Sequence, residues 1–202
     1  MSTHEEKMKR YLGRGLSDPI WVSGEKEFWS SYGADIEARQ AFFDLVEQEK
    51  PRSVLDVGCG KGRDGKPILK LGVDYVGVDP FEVNIKWAQN RYPGVDFRLG
   101  FMQELPFEDN SFDWIWLNGV ISYLPENQLN QGIQECIRVA RKRIYICSTS
   151  RKSSTFTDRY NAIPRNLPLK IWRVSYYKLR GREFLMWEIK LDEEIGCGHN
   201  TR

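Results

Sequence analysis

The chain has 202 residues, of which 41% are hydrophobic and 29% are charged, and its formal net charge is +2. This length suits one domain with a sizeable buried core, and no apolar run reaches membrane-spanning length. The first ten residues are almost wholly polar, unlike a secretory leader, so we expect one cytoplasmic domain over residues 1–202 without membrane insertion.

Residues 1–50 predict a helical cap ahead of the core. The first twenty residues mix charged and apolar side chains before the breaker pair Asp18-Pro19, which predicts a short helix followed by a turn. A second helix is predicted over residues 34–48, because apolar side chains recur there at helical spacing. These side chains are Ile36, Phe42, Phe43, Leu45 and Val46. We expect this stripe to pack on a sheet.

Residues 54–62 join a short apolar strand to three alternate glycines. Such a strand suits the interior of a parallel sheet, and the glycines let the backbone turn sharply and approach a ligand closely. Three interpretations compete. Residues 60–65 match the dinucleotide pattern G-x-G-x-x-G, and residues 60–66 match the phosphate-loop pattern G-x-x-x-x-G-K. However, Pro67 stands where a phosphate loop needs a hydroxyl, and Asp56 would repel a pyrophosphate.

The third interpretation is a family resemblance. The order of apolar strand, acid and G-x-G-x-G resembles motif I of the class I S-adenosylmethionine-dependent methyltransferases, here with Asp56, Gly58, Gly60 and Gly62. The resemblance implies S-adenosylmethionine as the cofactor, and an acid would complement its cationic groups. It covers roughly residues 52–148, because four segments follow in the family's order.

Two of those segments concern the nucleoside part of the cofactor. A predicted strand ends in Asp79, 21 residues after Gly58, which is about the spacing expected of an acid that binds ribose. Residues 100–113 resemble the family's segment G-D-A-x-x-L-P-F-x-D-x-S-F-D, with Phe101 in place of the first acid. Adenine recognition would then rest on the backbone and apolar side chains of Phe101 and Met102.

Strands and helices alternate after the glycine loop. Helices are predicted over residues 64–71, 81–91 and 125–141, and strands over 73–78, 95–99, 113–117 and 143–147. This order predicts a doubly wound, Rossmann-like, mostly parallel α/β sheet with its ligand crevice outside the carboxyl ends of the strands. Residues 170–179 and 182–191 alternate like a C-terminal antiparallel hairpin, which would complete the seven-stranded sheet of the family.

The cofactor contacts implied by these motifs fall at the carboxyl ends of the strands or in the segment before the core. They are Tyr32, Asp56, Gly58, Cys59, Gly60, Gly62, Asp79, Pro80, Phe101, Met102, Asn118 and Val120. Tyr32 is included by analogy, because the segment before motif I often closes over the methionine end of the cofactor in this family.

Methyl transfer from a sulfonium is an in-line displacement, so the protein must mainly orient the reactants. His4 and His199 lie near the chain ends, and we expect neither to be a catalytic base. Residues 118–125 resemble small-molecule methyltransferases and also some enzymes of tRNA wobble modification. Tyr123 lies within this segment and is a candidate for orienting the acceptor. Trp172 lies further along the chain and is a candidate for contacting the acceptor. Core packing explains either side chain as well.

Charge is distributed unevenly along the chain. Residues 138–182 hold thirteen Lys or Arg and one acid, Asp158, a net charge of +12. Such a segment is either a solvated basic face or a surface for an acidic partner: a nucleic acid, an anionic membrane surface, or an acidic or phosphorylated small substrate. The four cysteines are widely spaced, so we expect reduced thiols and no metal site.

The function that these features favour is methyl transfer to an oxygen or nitrogen of a small metabolite. The alternatives are an RNA methyltransferase that uses the basic segment, a non-catalytic cofactor-binding partner protein, and a dehydrogenase. Within the single domain we expect four parts. They are a helical cap over 1–50, a cofactor-binding core over 51–148, a basic loop and hairpin over 149–195, and a tail over 196–202.

Overall fold

The structure is a computed structural model that describes residues 3–12, 36–121, 124, 126–150, 169–179 and 182–191. The five helices in this part are α1 (His4–Leu12), α2 (Ile36–Glu49), α3 (Gly65–Lys70), α4 (Glu82–Arg91) and α5 (Glu126–Val139). The strands are β1 (Ser53–Val57), β2 (Asp74–Asp79), β3 (Asp96–Leu99), β4 (Phe112–Asn118), β5 (Ala140–Ser150), β6 (Leu169–Leu179) and β7 (Arg182–Leu191).

The seven strands form one sheet in the order β3-β2-β1-β4-β5-β7-β6. Strands β1 to β5 run parallel to one another, whereas β7 runs antiparallel to both β5 and β6. The prediction of a doubly wound, mostly parallel α/β sheet with a terminal antiparallel hairpin is therefore confirmed. The order reverses at β1, which pairs with β2 on one side and β4 on the other, and ligands of such sheets bind at this switch point.

The two faces of the sheet bury different kinds of side chain. Along β4, Trp114 and Trp116 point to the face covered by α2, α3 and α4, whereas Ile115 and Leu117 point to the face covered by α5. This alternation follows from the two-residue period of a strand, since successive side chains lie on opposite faces. The sheet thus has an aromatic face and an aliphatic face, and both are buried as a central parallel sheet requires.

Helix α2 packs on the aromatic face with a different stripe from the predicted one. Ala38, Phe42 and Val46 are fully buried, whereas Ile36 is 56% exposed, so the assignment of Ile36 to the buried stripe is wrong. The buried residues are four apart and lie on one side of the helix. The Phe42 ring stacks on Trp116 with centroids 4.0 Å apart, and the large sheet aromatics fix which side of α2 faces inward.

In helix α4, too, the spacing of apolar residues does not identify which side chains are buried. Of its four apolar side chains Val83, Ile85, Trp87 and Ala88, Ile85 and Ala88 are buried, but Val83 and Trp87 are 39% and 40% exposed. The Trp87 ring instead contacts Tyr92 and lies under the ammonium of Lys61. Helix α5 buries Leu129, Ile133 and Cys136, which are spaced so that they lie on one side of the helix.

The strand β5 begins at Ala140, three residues before its predicted start. The described cysteines Cys59, Cys136 and Cys147 are all buried. Within the described residues, no helix has both the length and the apolar character needed to cross a membrane.

Candidate functional site

The glycine loop leaves β1 at its carboxyl end in a conformation that requires glycine. Gly58, Gly60 and Gly62 have φ angles of 77°, 54° and 72°, which side-chain-bearing residues rarely adopt. A Cβ on Gly58 would lie 2.4 Å from Cγ2 of Val120, so the loops after β1 and β4 touch directly. A Cβ on Gly62 would lie 2.3 Å from the Phe97 ring. By contrast, no atom of the described residues lies within 4 Å of such a Cβ on Gly60, so the described part of the site is open at the middle glycine of the loop.

Hydrogen bonds fasten this loop to the end of β2. The N–H groups of Gly58 and Cys59 donate to the Val78 carbonyl at 2.7 and 3.0 Å, and the N–H of Gly60 donates to Oδ2 of Asp79 at 2.9 Å. The Cys59 thiol is buried, and burial raises its pKa well above the usual range. Cys59 therefore takes part through its backbone, and its protonated thiol is a poor nucleophile.

Asp79, the last residue of β2, has a carboxylate that is held by three hydrogen bonds at this edge of the sheet. Its Oδ1 accepts hydrogen bonds from the N–H of Phe81 at 2.9 Å and from Nδ2 of Asn84 at 3.0 Å. Burial raises the pKa of Asp79 to about 6, although these donors and the Gly60 N–H work to lower it. Each carboxylate oxygen accepts two hydrogen bonds, so Oδ2 keeps capacity for a further donor such as a hydroxyl. Pro80 is half-buried beside it.

Asp56 lies inside β1 rather than at its end. Its buried carboxylate points to the aromatic face, where Oδ2 accepts a hydrogen bond from the Tyr75 hydroxyl at 2.7 Å. Burial raises the pKa of Asp56 well above its usual value, the nearby Asp64 carboxylate adds to this, and the Tyr75 hydrogen bond opposes it. The structure places Asp56 beneath the glycine loop, and its contact with a cofactor stays a prediction.

A third buried acid at this site, Asp64, was not identified from the sequence as a functional residue. Its Oδ1 accepts hydrogen bonds from Nε of Arg39 at 2.7 Å and from Nη2 of the same side chain, and its Oδ2 accepts one from Nε1 of Trp116 at 2.9 Å. Asp64 occupies the N-cap position of α3 but forms no side-chain cap hydrogen bond. Its position ahead of a helix is a signal for a cap, whereas nothing in the sequence indicates its partners.

The end of β3 lies next to Asp79, since the Gly100 N–H donates to the Asp79 carbonyl at 3.1 Å. The side chains of Phe101 and Met102 that follow are both buried. The Phe101 ring centroid lies 5.2 Å from that of His4 in α1. A cavity of about 210 Å³ opens between these elements. It is lined by His4, Lys7, Leu99, Gly100, Phe101, Glu104 and Pro106.

The remaining predicted contacts divide between described and undescribed parts of the chain. Asn118 ends β4 and is half-buried, and Val120 follows it against Gly58. Tyr32 and Tyr123 lie outside the described residues. Trp172 lies in β6, but its side chain is outside the described part. The structure thus brings the ends of β1, β2, β3 and β4 together, while the acceptor-facing candidates stay predictions.

The described part of the basic segment is neutralised within the protein. Arg138 pairs with Glu135 and Asp109, Arg141 and Lys142 both pair with Asp113, and Arg143 pairs with Glu49 and Glu188. Asp113 is the second residue of β4, so its two partners lie at the end of the sheet opposite the crevice. The other nine of the thirteen basic side chains in this segment lie outside the description.

Comparison with known protein families matches residues 54–143 to a family described as a methyltransferase domain. A probable S-adenosylmethionine-dependent methyltransferase of Mycolicibacterium smegmatis is 35% identical over 99 residues, which are 48% of this chain and 38% of that protein. A demethylmenaquinone methyltransferase of Renibacterium salmoninarum is 31% identical over 103 residues, 51% of this chain and 43% of that protein. The chain therefore spans about two fifths of the length of these curated relatives.

Among solved structures, the fold resembles that of a 1,6-didemethyltoxoflavin-N1-methyltransferase from Burkholderia thailandensis, which was crystallised with 1,6-didemethyltoxoflavin and S-adenosylhomocysteine. The TM-score is 0.71, the sequences are 16% identical, and the match covers 95% of this chain and 92% of that one. At this level of identity the likeness concerns the fold.

Proposed function

Because this chain belongs to the class I S-adenosylmethionine-dependent methyltransferases, we propose that it binds S-adenosylmethionine at the ends of β1 to β4 and methylates a small molecule. The observation that carries the proposal is the convergence of an open glycine loop with a fixed carboxylate. No described residue lies against the side-chain face of Gly60, and the Gly60 N–H donates to Asp79, which joins the loop to the acid. Bare backbone beside a hydrogen-bonded acid suits a nucleoside with a ribose diol.

The residues fit the parts of this cofactor in their order along the sheet. Asp79 would accept hydrogen bonds from the ribose hydroxyls, because one of its oxygens keeps acceptor capacity. Adenine would lie beyond it toward Phe101 and Met102, since the end of β3 is bonded directly to Asp79. The glycine loop and Val120 would flank the methionine end. Asp56 lies below the loop and would act through the field of its carboxylate.

Bound S-adenosylmethionine supplies an electrophilic methyl group, and this chain's residues would hold it toward the acceptor. The site would favour transfer mainly by orientation, which contributes strongly to displacement reactions. Buried Phe101, Met102 and the half-buried Val120 would exclude water from one side of the cofactor. Tyr123 is our candidate for orienting the acceptor oxygen or nitrogen, and Trp172 for contacting the acceptor.

We favour a small metabolite over RNA as the acceptor. The RNA hypothesis depended on the basic segment, and the four cations described there pair with carboxylates of the same chain. Charges that are neutralised internally contribute little to phosphate binding. An acidic or phosphorylated metabolite would need only one or two cations, and any of the nine other basic side chains could provide them.

Methyl-labelled S-adenosylmethionine tests this proposal. The protein is incubated separately with a small-molecule extract and with total RNA, and label is counted in the soluble and the acid-precipitated fractions. We expect label in small molecules only, and none with Asp79→Asn at the same cofactor concentration. Label in RNA would favour the RNA methyltransferase. Absence of label from both fractions, in a protein that binds S-adenosylhomocysteine, would favour the non-catalytic partner protein.

A further inference from the structure

A buried polar bridge connects helix α2 to the glycine loop. Arg39 of α2 donates two hydrogen bonds to Oδ1 of Asp64, and Trp116 of β4 donates one to Oδ2. Asp64 lies two residues after Gly62 and four after Gly60, within the same short loop. Three separate elements therefore meet on one carboxylate at the back of the candidate cofactor site.

The chain uses this carboxylate in an uncommon way. An aspartate at an N-cap position normally accepts hydrogen bonds from the first N–H groups of its helix. Asp64 forms none and is turned toward α2 and β4 instead. A buried charge is tolerated only when its partners satisfy it, and the guanidinium of Arg39 is the cation that Asp64 contacts. The position of the loop therefore depends on a side chain from another element.

Because of Asp56, the position of the glycine loop depends more strongly on Arg39. Its carboxylate lies near Asp64 and is held by the Tyr75 hydroxyl, so two acids share one buried region. Arg39 acts on both, because its charge also lowers the pKa of Asp56. Without Arg39, Trp116 would be the one described side-chain donor left to Asp64, beside a second buried acid. Asp64 would relieve that burial by rotating toward solvent, and the backbone between Gly60 and Asp64 would move with it.

We propose that Arg39 is a positioning residue for cofactor binding, which acts through Asp64 on the backbone of the glycine loop. The inference rests on the proposed cofactor site and adds a residue that is not one of the predicted cofactor contacts. Its route is short: Arg39 fixes Asp64, Asp64 fixes the loop, and the loop presents the Gly60 N–H to Asp79. Helix α2 therefore helps to fix the position of the glycine loop.

Arg143 provides a matched control for loss of packing or of an ion pair. It also joins α2 to the sheet, through Glu49 of α2 and Glu188 of β7. The two arginines have similar burial, with side chains 15% and 18% exposed. Arg143 does not contact the glycine loop. Both substitutions should therefore weaken the α2–sheet contact, and only one should disturb the cofactor site.

The test compares Arg39→Met, Arg39→Lys and Arg143→Met with the unsubstituted protein. S-adenosylhomocysteine affinity is measured by calorimetry, and thermal unfolding is measured on the same samples. We expect Arg39→Met to raise the dissociation constant at least tenfold and Arg143→Met to change it less than threefold, at comparable losses of thermal stability. Arg39→Lys should recover part of the affinity, because it restores the charge without the forked geometry.

Trp116→Phe keeps the inference testable if Arg39→Met does not fold. It removes the second donor to Asp64 and keeps a ring against Phe42, so we expect a smaller but measurable loss of affinity. Equal affinities for the Arg39 variants and the unsubstituted protein, or equal losses for Arg39→Met and Arg143→Met, would overturn the inference. Failure of the unsubstituted protein to bind S-adenosylhomocysteine would instead refute the proposed function on which it rests.

Discussion

Replacing Asp79 by asparagine tests the assignment of this residue to the cofactor ribose. The carboxylate accepts hydrogen bonds from Gly60, Phe81 and Asn84 and keeps capacity for hydroxyl donors. Asparagine has nearly the same shape, but it has one acceptor oxygen in place of two and no charge. The variant should therefore fold and lose much of the ribose interaction.

The structure sets the size of the expected loss. A hydrogen bond to a charged group contributes about 1.5–3 kcal/mol, so one ribose hydroxyl on the remaining acceptor site of Oδ2 would contribute about that much. If asparagine loses this contact, the dissociation constant of S-adenosylhomocysteine rises by roughly 10- to 150-fold. Asn84→Ala is the matched control, because it removes one donor to Oδ1 and leaves the ribose side intact. We expect it to change the affinity less than about threefold, because one protein hydrogen bond is lost and no ligand contact.

The assay is calorimetry with S-adenosylhomocysteine and with its 2′,3′-dideoxy analogue. The unsubstituted protein should strongly prefer the ligand that has both hydroxyls, and Asp79→Asn should lose most of that preference. This comparison separates a ribose contact from a general loosening of the loop, which would weaken both ligands alike. A folded Asp79→Asn variant with unchanged affinity, or with the full preference for the hydroxylated ligand, would refute the assignment.

Two further predictions concern pH and the glycines. Because burial raises the pKa of Asp79 from 3.8 to about 6, the folded state holds this proton more tightly than the unfolded chain. This group therefore stabilises the fold at low pH, and that contribution is lost between pH 4 and 6, whereas ribose binding to the ionised carboxylate strengthens over the same interval. Below pH 6, calorimetry should show affinity for S-adenosylhomocysteine falling by up to about tenfold per pH unit, and Asp79→Asn should lack this slope. Gly62→Ala should lower the free energy of unfolding by about 2–4 kcal/mol, since its Cβ meets the Phe97 ring at a positive φ. Gly60→Ala should lower the free energy of unfolding by only about 1–2 kcal/mol, but it should weaken cofactor binding more than Gly62→Ala does. Denaturant unfolding measures the first effect and calorimetry the second. Equal effects of the two substitutions in both measurements would contradict this prediction.

The parts of the fold that the sequence predicts are those encoded by local patterns. Alternating strands and helices indicate a parallel sheet, and the structure has one with its order reversing at β1. The glycine loop and Asp79 follow from a motif and a spacing, and hydrogen bonding to Gly60 brings them together. Their contacts with the cofactor stay predictions, as do those of Tyr32 and Tyr123.

Periodicity identifies a helix more reliably than it identifies which side of the helix is buried. In α2 the predicted stripe included Ile36, yet Ala38 takes the inward position, because the rings of Phe42 and Trp116 stack and set the rotation of the helix. That rotation depends on a strand far along the chain. A sequence pattern within α2 does not contain this information.

Long-range polar contacts were not predictable for the same reason. Asp64 bonds to Arg39 and Trp116, which are 25 and 52 residues away in the chain. Likewise, the net charge of residues 138–182 suggested an acidic partner, whereas the four basic side chains between 138 and 143 bind acids brought to them by the fold, such as Asp113. Charge counted along a sequence says nothing of which charges the folded chain pairs.

The most direct test of the central claim is calorimetric titration of the unsubstituted protein with S-adenosylhomocysteine, S-adenosylmethionine and NAD. We predict saturable one-to-one binding of both sulfur nucleosides and no binding of NAD, because the Asp56 carboxylate beneath the glycine loop would repel a pyrophosphate. A folded protein that binds neither sulfur nucleoside, or that binds NAD instead, would contradict the account.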